Sequence, residues 1–266
     1  MTPHIVLITG ATAGIGKATA TQFAQQGSHL ILCARRKNRL ESLAQKLSSE
    51  YSIKVLPLTL DIQDNNAIKD TITKLPKEWE SIDVLVNNAG TAITTDKIQE
   101  ADPANWDIMI DTNIKGLLYM TRAVISGMLK RNKGHIINIG SIAGHEYYSG
   151  GNVYCATKHA VKAINKTLRI DLLGTPIRTT SIDPGMVHTE FSAVRWNDHK
   201  KAEQFYADST PLQPDDIADA IVYCANAPQH VNVETMVIMP TCQASTNHLH
   251  RDGDSKNNPG GMFSES

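Results

Sequence analysis

The sequence predicts an α/β protein built on one doubly wound, seven-stranded parallel sheet with helices on both faces. Two observations support this fold class. Short apolar runs alternate with amphipathic segments of helical periodicity, an order typical of parallel sheets with right-handed crossovers. Most of the apolar runs are continuous rather than alternating, as expected when both faces of a strand are covered.

The predicted strands are short runs rich in Ile, Leu and Val, at residues 4–9, 29–34, 53–60, 82–87, 134–140, 177–183 and 235–239. Longer segments with apolar residues at helical spacing lie between them. They predict helices at residues 15–26, 37–49, 65–75, 105–130, 153–173 and 214–226. Because no linker rich in Pro, Gly or Ser and no internal repeat divides this series, we expect one domain over residues 1–250.

Two stretches depart from the alternation of strands and helices. Residues 190–211 are long for a loop and carry several aromatic side chains, among them Phe191, Trp196 and Phe205. Loops of this length are usually functional or disordered, and the aromatic residues favour a substrate lid with a helix of its own. Residues 251–266 are rich in Gly, Asn, Ser and Asp, which predicts a disordered tail.

Composition argues against several classes of function. The net charge is −1 and the pI about 6.8, with no long run of either sign, so neither nucleic acid nor an anionic membrane is indicated as a partner. No stretch approaches the roughly 20 apolar residues of a membrane span, and we expect a cytoplasmic protein. The four cysteines are far apart, which fits reduced thiols, and no metal-binding motif is present.

A glycine-rich turn joins the first predicted strand to the first predicted helix, with glycines at positions 10, 14 and 16. Glycines permit a tight turn and let backbone N–H groups approach a pyrophosphate at a helix N-terminus. The spacing is one residue longer than the G-x-G-x-x-G fingerprint, and tight turns also need glycine for steric reasons alone. Its place between a strand and a helix favours a nucleotide site.

The second predicted strand ends in two cations, Arg35 and Arg36. A site that prefers NAD normally has a carboxylate here, about 20 residues past the glycines, to bind the ribose 2′-hydroxyl. Arginine instead suits a 2′-phosphate, because the guanidinium makes bidentate contacts with phosphate. The alternative is a basic start to the next helix, where positive charge is unfavourable. We therefore predict NADP as the cofactor.

Tyr154 and Lys158 begin a segment of apolar periodicity, and their spacing puts both side chains on one helix face. A phenol has a pKa near ~10, and a neighbouring ammonium favours the phenolate. A phenol tuned in this way can give a proton to a carbonyl oxygen or take one from an alcohol. Ser141 ends the fifth predicted strand and can point at the same substrate oxygen. The alternative is that the pair belongs to an ordinary helix surface.

These motifs and others occur in an order that resembles the short-chain dehydrogenase/reductase family. The match runs from Thr9 to about Pro240, nearly the whole chain. Beyond the residues above it includes Asp61, the segment Asn87-Asn88-Ala89-Gly90, Asn113, and Pro184-Gly185 with Thr189. The resemblance implies a Rossmann-type domain and an oxidoreductase that acts on CH–OH groups.

The resemblance also implies catalytic roles for Asn113, Ser141, Tyr154 and Lys158. Tyr154 would be the general acid/base, and Ser141 would bind the substrate oxygen. Lys158 would lower the pKa of Tyr154 and hold the nicotinamide ribose. Asn113 would anchor a water that relays protons to the lysine.

The cofactor site implied by the resemblance is extensive. Asp61 would touch the adenine, Asn88 would line the cofactor floor, and Thr189 would hold the nicotinamide carboxamide. The full set is Gly10, Thr12, Ala13, Gly14, Ile15, Gly16, Arg35, Arg36, Asp61, Ile62, Asn88, Ala89, Gly90, Tyr154, Lys158, Pro184, Gly185, Val187 and Thr189.

Within the family, the segments 109–113, 115–123, 150–154 and 190–195 are similar to the NADP-dependent serine and 3-hydroxy acid dehydrogenases. A small acid needs a cation near its carboxylate, and our hypothesis is Arg195, which could equally pair with a neighbour or face solvent. Substrate binding would then involve Ser141, Tyr154 and Arg195. The resemblance further implies a homotetramer formed through the two long central helices.

Two other functions stay open at this point. A 3-oxoacyl-carrier reductase or general carbonyl reductase would share the fold and the Tyr–Lys pair. An acidic carrier protein would need a basic rim, for which the lid region offers Arg195, Lys200 and Lys201. A non-catalytic dinucleotide sensor is disfavoured, because such a protein would be expected to lose the pair formed by Tyr154 and Lys158.

Overall fold

A computed structural model describes residues 4–252. Strands and helices alternate in the predicted order. The strands are β1 (Ile5–Thr9), β2 (His29–Ala34), β3 (Val55–Thr59), β4 (Val84–Asn87), β5 (His135–Ile139), β6 (Arg178–Pro184) and β7 (Thr235–Ile238). The helices are α1 (Gly14–Gln25), α2 (Lys37–Tyr51), α3 (Asn65–Thr73), α4 (Pro103–Ile110), α5 (Leu117–Arg131), α6 (Asn152–Asp171), α7 (Glu190–Trp196), α8 (His199–Tyr206) and α9 (Pro214–Asn226).

All seven strands pair in parallel, in the order β3-β2-β1-β4-β5-β6-β7. The chain runs outward from β1 to β3 and then crosses to β4, on the other side of β1. The segments that follow β1 and β4 therefore leave the sheet in opposite directions. A crevice forms between them, outside the carboxyl ends of these two strands. The predicted fold class is confirmed.

Both faces of the sheet are covered, which explains the continuous apolar strands. Val6 and Ile8 of β1 pack into one core with helices α1, α2 and α9. Leu7, between them, points to the opposite face and packs with α3 and α5. Each of these three side chains has no exposed surface. A strand of a two-sided core has no polar face, because successive side chains point in opposite directions.

The structure modifies the prediction in two places. The helix predicted at residues 105–130 is α4 and α5, joined by a π-helical segment, Asp111–Gly116. The stretch predicted as a lid, residues 190–211, contains two short helices, α7 and α8, rather than one. Of the predicted disordered tail, residues 253–266 lie outside the described residues. Within residues 4–252, no helix has the length and apolar character needed to cross a membrane.

Candidate active site

A cavity of about 380 Å³ opens at the carboxyl ends of the strands. Open α/β sheets bind their ligands at this edge, above the point where the strand order reverses. All the predicted site residues line the cavity except Gly16, Asn113 and Arg195. Three residues of the predicted lid, Glu190, Phe191 and Val194, also line it. The sequence did not indicate the further lining residues Cys33, Leu60, Thr91, Thr112 and Ile139.

The turn after β1 brings backbone N–H groups to the cavity. Gly10 and Gly14 have φ angles of 65° and 47°, a region that strains residues with a Cβ. At Gly16 an added Cβ would collide with the amide of Asn88 and the carbonyl of Gly10. Among the described residues no side chain caps the N-terminus of α1. The N–H groups of its first turn therefore suit a pyrophosphate.

Asn88 ties the end of β4 to this turn. Its Nδ2 donates to the carbonyl oxygens of Thr9 and Gly10 at 2.9 and 3.2 Å. Thr9 Oγ1 accepts hydrogen bonds from the backbone N–H groups of Asn88 and Ala89, both at 3.0 Å. The amide of Asn88 thus holds the glycine turn against the cavity wall, while Asn88 itself lines the cavity.

The cations predicted for the 2′-phosphate lie at the start of α2, on the rim of the cavity. The guanidinium of Arg36 donates to Thr12 Oγ1 at 3.0 and 3.3 Å. Arg36 and Arg39 both lie 3.2 Å from the carboxylate of Glu190, while Arg35 lies 3.7 Å from Asp61. Sequence reasoning missed Arg39 and Glu190; the spacing of Arg36 and Arg39, one helical turn apart, was the only available signal.

Tyr154, Lys158 and Ser141 meet in the cavity. Helix α6 carries the first two on one face, and Ser141 follows β5 directly. Ser141 lies close enough to the Tyr154 hydroxyl to act against the rise in its pKa. Lys158 Nζ donates to the carbonyl oxygen of Ile139 at 2.9 Å and lies 5.8 Å from the centre of the Tyr154 ring.

The direction predicted for the pKa of Tyr154 is wrong for this structure. Loss of water around the partly buried ring raises the pKa above its usual 10, and the Ser141 side chain opposes this only in part. Burial lowers the pKa of Lys158 to about 8, and the charge of Asp183 opposes the change. The ammonium is held by a carbonyl oxygen rather than by the phenol, so burial controls the tyrosine.

Asn113 lies in the π-helical segment and is buried. Its Oδ1 accepts from the N–H of Thr91 at 2.8 Å, and its Nδ2 donates to Thr91 O at 2.8 Å and to Thr157 Oγ1 at 3.0 Å. These bonds use both donors of the amide, so its side chain ties the loop after β4 to α6. An added Cβ at Gly90 would lie 3.3 Å from Asn113 Oδ1 and 3.8 Å from Lys158 Nζ, which makes these residues neighbours.

Arg195 lies beside the tyrosine, although it does not line the cavity. Its guanidinium carbon is 5.5 Å from the centre of the Tyr154 ring and 5.2 Å from that of Tyr148. Its Nη2 donates to the hydroxyl of Tyr148 at 2.6 Å, and its Nε to the carbonyl oxygen of Thr94 at 3.2 Å. Both acceptors are neutral oxygens, so these hydrogen bonds do not neutralise the charge of the guanidinium.

A second polar cluster, which sequence reasoning missed, lies close enough to Lys158 for the charge of Asp183 to affect its pKa. Asp183 is 1% exposed and accepts from Ser181 Oγ at 2.5 Å. Nε2 of His145 lies 2.6 Å from Asp183, and Nδ1 lies 3.0 Å from the ammonium of Lys162. Because these residues come from β6, α6 and the turn after β5, no sequence spacing could link them.

Three comparisons place the chain among known proteins. A protein from Salmonella typhi named NADP-dependent 3-hydroxy acid dehydrogenase is 48% identical over 242 residues, 90% of this chain and 96% of the relative. Sulfoacetaldehyde reductase 2 of Chromohalobacter salexigens is 45% identical over 242 residues, again 90% of this chain, and 95% of the relative. A closed form of serine dehydrogenase complexed with NADP+ superposes with a TM-score of 0.87 at 46% identity, over 93% of this chain and 99% of that chain.

The family profile described as short chain dehydrogenase matches residues 4–200, most of the chain. Strands β1 to β6, the glycine turn and the Tyr154–Lys158 pair all fall inside this match, and β7 follows it. On this match and on these identities, the chain belongs to the short-chain dehydrogenase family.

Proposed function

We propose that this protein is an NADP-dependent oxidoreductase that transfers hydride between the nicotinamide and a small 3-hydroxy acid or serine-like substrate. One observation carries the proposal: Ser141, Tyr154 and Lys158 line the same cavity as the glycine turn. The names of the relatives, an NADP-dependent 3-hydroxy acid dehydrogenase and a serine dehydrogenase with NADP+, support the cofactor and the substrate class.

The cavity residues fit this cofactor. The open N-terminus of α1 suits the pyrophosphate, and Arg36 suits the 2′-phosphate. Asp61 and Ile62 would flank the adenine, while Thr189, which also caps α7, would hold the carboxamide. Bound NADP supplies or accepts a hydride at its nicotinamide ring.

The chain's own groups handle the proton and the substrate oxygen. With a pKa above the usual 10, the hydroxyl of Tyr154 is protonated at neutral pH and can donate to the alkoxide that forms as a carbonyl is reduced. Ser141 donates a second hydrogen bond to the same oxygen. Lys158 is charged below pH 8. In alcohol oxidation its ammonium, 5.8 Å from the centre of the Tyr154 ring, would favour negative charge on the phenol.

Arg195 gives the substrate preference in this proposal. A guanidinium 5.5 Å from the Tyr154 ring can bind an acidic group one or two carbons from the reacting carbon. The same cation would accept a sulfonate, and the relative named sulfoacetaldehyde reductase 2 favours this as a second candidate substrate class. Helix α7 carries both Arg195 and Phe191, which lines the cavity, and together with α8 it would act as the lid.

Initial rates with NADP and NAD in parallel test the proposal. The panel is L-serine, 3-hydroxyisobutyrate, sulfoacetaldehyde, an acetoacetyl thioester and a neutral ketone. We expect NADP-dependent turnover of an acidic substrate. Arg195→Met should raise KM for that acid by roughly 10- to 100-fold, the value of a charged hydrogen bond, and change KM for the neutral ketone little. Lys200→Met, an exposed cation of α8, is the matched control.

Equal effects of Arg195→Met on acid and ketone would contradict the assignment of Arg195. Faster turnover of the acetoacetyl thioester than of any acid in the panel would favour the carrier reductase instead.

We also propose that the protein is a cytoplasmic homotetramer. Large apolar side chains on the two central helices support the assembly. They are Leu118 and Leu129 of α5, which are 41% and 45% exposed, and Ile170 of α6, which is 70% exposed. The four cysteines are unpaired, which suits a reducing compartment. A native mass measurement tests the assembly.

A further inference from the structure

Glu190 links the start of α7 to the start of α2. Its carboxylate lies 3.2 Å from the guanidinium of Arg36, and both of its oxygens accept from Nη1 of Arg39 at 3.2 Å. Arg36 also donates to Thr12 Oγ1, which fixes its orientation at the glycine turn. These contacts, the Glu190 bridge, place an anion between two guanidinium groups on the rim of the cavity.

An anion held in this way resembles the ligand that the cations are suited to bind. Guanidinium groups pair with phosphate and carboxylate in the same geometry, through N–H donors directed at oxygen. Arg39, one helical turn beyond Arg36, presents its donors to the same point. A 2′-phosphate brought to Arg36 would therefore meet the negative charge of Glu190.

We propose that Arg39 completes the 2′-phosphate site with Arg36, and that Glu190 fills this site in the free protein until the cofactor displaces it. The inference rests on the proposed NADP dependence and adds two residues that determine specificity. Because Glu190 is the first residue of α7, the 2′-phosphate would release the start of the lid. NAD has no group that could displace the carboxylate.

The exposure and charge of Glu190 suit a contact that forms and breaks. Its side chain is 51% exposed, and those of Arg36 and Arg39 are 45% and 55% exposed. Partial burial acts against ionisation, but hydrogen bonds from Arg36 and the charge of Arg39 hold the pKa of Glu190 below its usual value. Exposed ion pairs are weak and screened by salt, so a doubly charged phosphate can replace the carboxylate.

Calorimetric titration of the full chain with adenosine 2′,5′-bisphosphate and with 5′-AMP tests the proposal without any turnover. Glu190→Gln should bind the bisphosphate about 3- to 10-fold more tightly than the wild type does. Its affinity for 5′-AMP should stay within about twofold of the wild-type affinity. Glu41→Gln removes a carboxylate of α2 that pairs with Lys37 and not with the arginines, and is the matched control.

Two further variants test Arg39. Arg39→Gln should lower the affinity for the bisphosphate by about tenfold or more. Lys37 is a cation of the same helical turn, and Lys37→Gln should change this affinity little. In the Arg39→Gln background, Glu190→Gln should increase the affinity for the bisphosphate less than it does in the wild type, because the two residues share one site.

The outcomes separate this inference from the proposed function. If the wild-type protein binds NADP no more tightly than NAD, the cofactor proposal itself fails. If it prefers NADP but Glu190→Gln binds the bisphosphate equally or more weakly, Glu190 orders the arginines rather than competing, and the inference is overturned. If Arg39→Gln binds the bisphosphate as tightly as the wild type does, Arg39 is not part of the 2′-phosphate site.

Discussion

Tyr154 is a partly buried phenol whose neighbours come from three parts of the fold: the end of β5, α6 and α7. Ser141 follows β5, Lys158 lies one turn further along α6, and the ring of Phe191 from α7 tilts against it at 5.9 Å. The Arg195 cation at 5.5 Å favours the phenolate, and loss of water disfavours it more strongly. This balance keeps the hydroxyl protonated at neutral pH, and a bound cofactor and substrate would act on the same balance.

Replacement of Tyr154 by Phe removes the hydroxyl and keeps the ring. We expect kcat to fall by roughly 10²- to 10⁴-fold, the usual contribution of a general acid, while the affinity for NADP and the melting temperature change little. Tyr223→Phe, on the exposed face of α9, is the matched control. Initial rates and a binding titration measure both effects. Unchanged turnover in the Tyr154 variant would remove this residue from the reaction.

At the scale of elements, the π-helical segment between α4 and α5 shapes the cofactor side of the site. It presents Asn113 to the loop after β4 and to α6. Gly116 ends the segment, and the side chain of Ile62 packs on its Cα. π-Helical turns often occur at functional sites because the extra residue re-aims the side chains around it. Here the missing side chain at position 116 leaves room for Ile62, which lines the cavity.

Gly116→Ala tests this packing. The added Cβ would lie 2.6 Å from Ile62 Cδ1 and 3.0 Å from the Ile62 carbonyl oxygen, so the cavity wall at Ile62 must shift. We expect a higher KM for NADP with kcat largely kept, and a loss of about 1–3 kcal/mol in the free energy of unfolding, typical of overpacking.

Gly127→Ala is the matched control for this variant. Gly127 lies in α5, and an added Cβ there would lie 3.2 Å from Nη1 of Arg131 and 3.9 Å from the carbonyl oxygen of Glu80. It should leave KM unchanged, because it does not adjoin the cavity. If Gly116→Ala binds NADP as tightly as the wild type does, the position of Ile62 in the cavity wall does not depend on a glycine at position 116.

At the scale of the whole molecule, the two-sided core takes the central strands out of water, including their polar residues. His135 opens β5 and is 2% exposed, with Nε2 bonded to Thr180 Oγ1 at 2.8 Å. Burial, assisted by the charge of Arg178, lowers the pKa of His135 from 6.5 to about 3. The folded protein therefore keeps this imidazole neutral in mild acid, where the unfolded chain protonates it.

The stability of the protein should consequently fall as the pH falls from 6.5 towards 3. In this window the unfolded state binds the extra proton, which costs the folded state up to about 1.4 kcal/mol per pH unit. Urea unfolding between pH 4 and 7 measures the slope. The stability difference between the wild type and His135→Gln should shrink as the pH falls.

His230→Gln, an exposed histidine, serves as the control and should follow the wild-type slope. Parallel curves for the wild type and His135→Gln would mean that His135 is protonated in the folded state as well.

The sequence by itself determined the order of strands and helices, the parallel sheet, the glycine turn and the shared face of Tyr154 and Lys158. These features follow from local periodicity and from spacing within one element, so neighbouring residues suffice to define them. The family resemblance extended the prediction to Asp61, Asn88 and Thr189, all of which line the cavity.

Only the tertiary structure decided the π-helical segment, the position of Arg195 beside Tyr154, the Glu190 bridge and the direction of the tyrosine pKa. Glu190 and Arg36 are 154 positions apart, and Arg195 and Tyr148 are 47 apart. Contacts at such separations, and the loss of water they cause, depend on how whole elements pack against one another. Burial is a property of the assembled core, and the sequence around Tyr154 carries no measure of it.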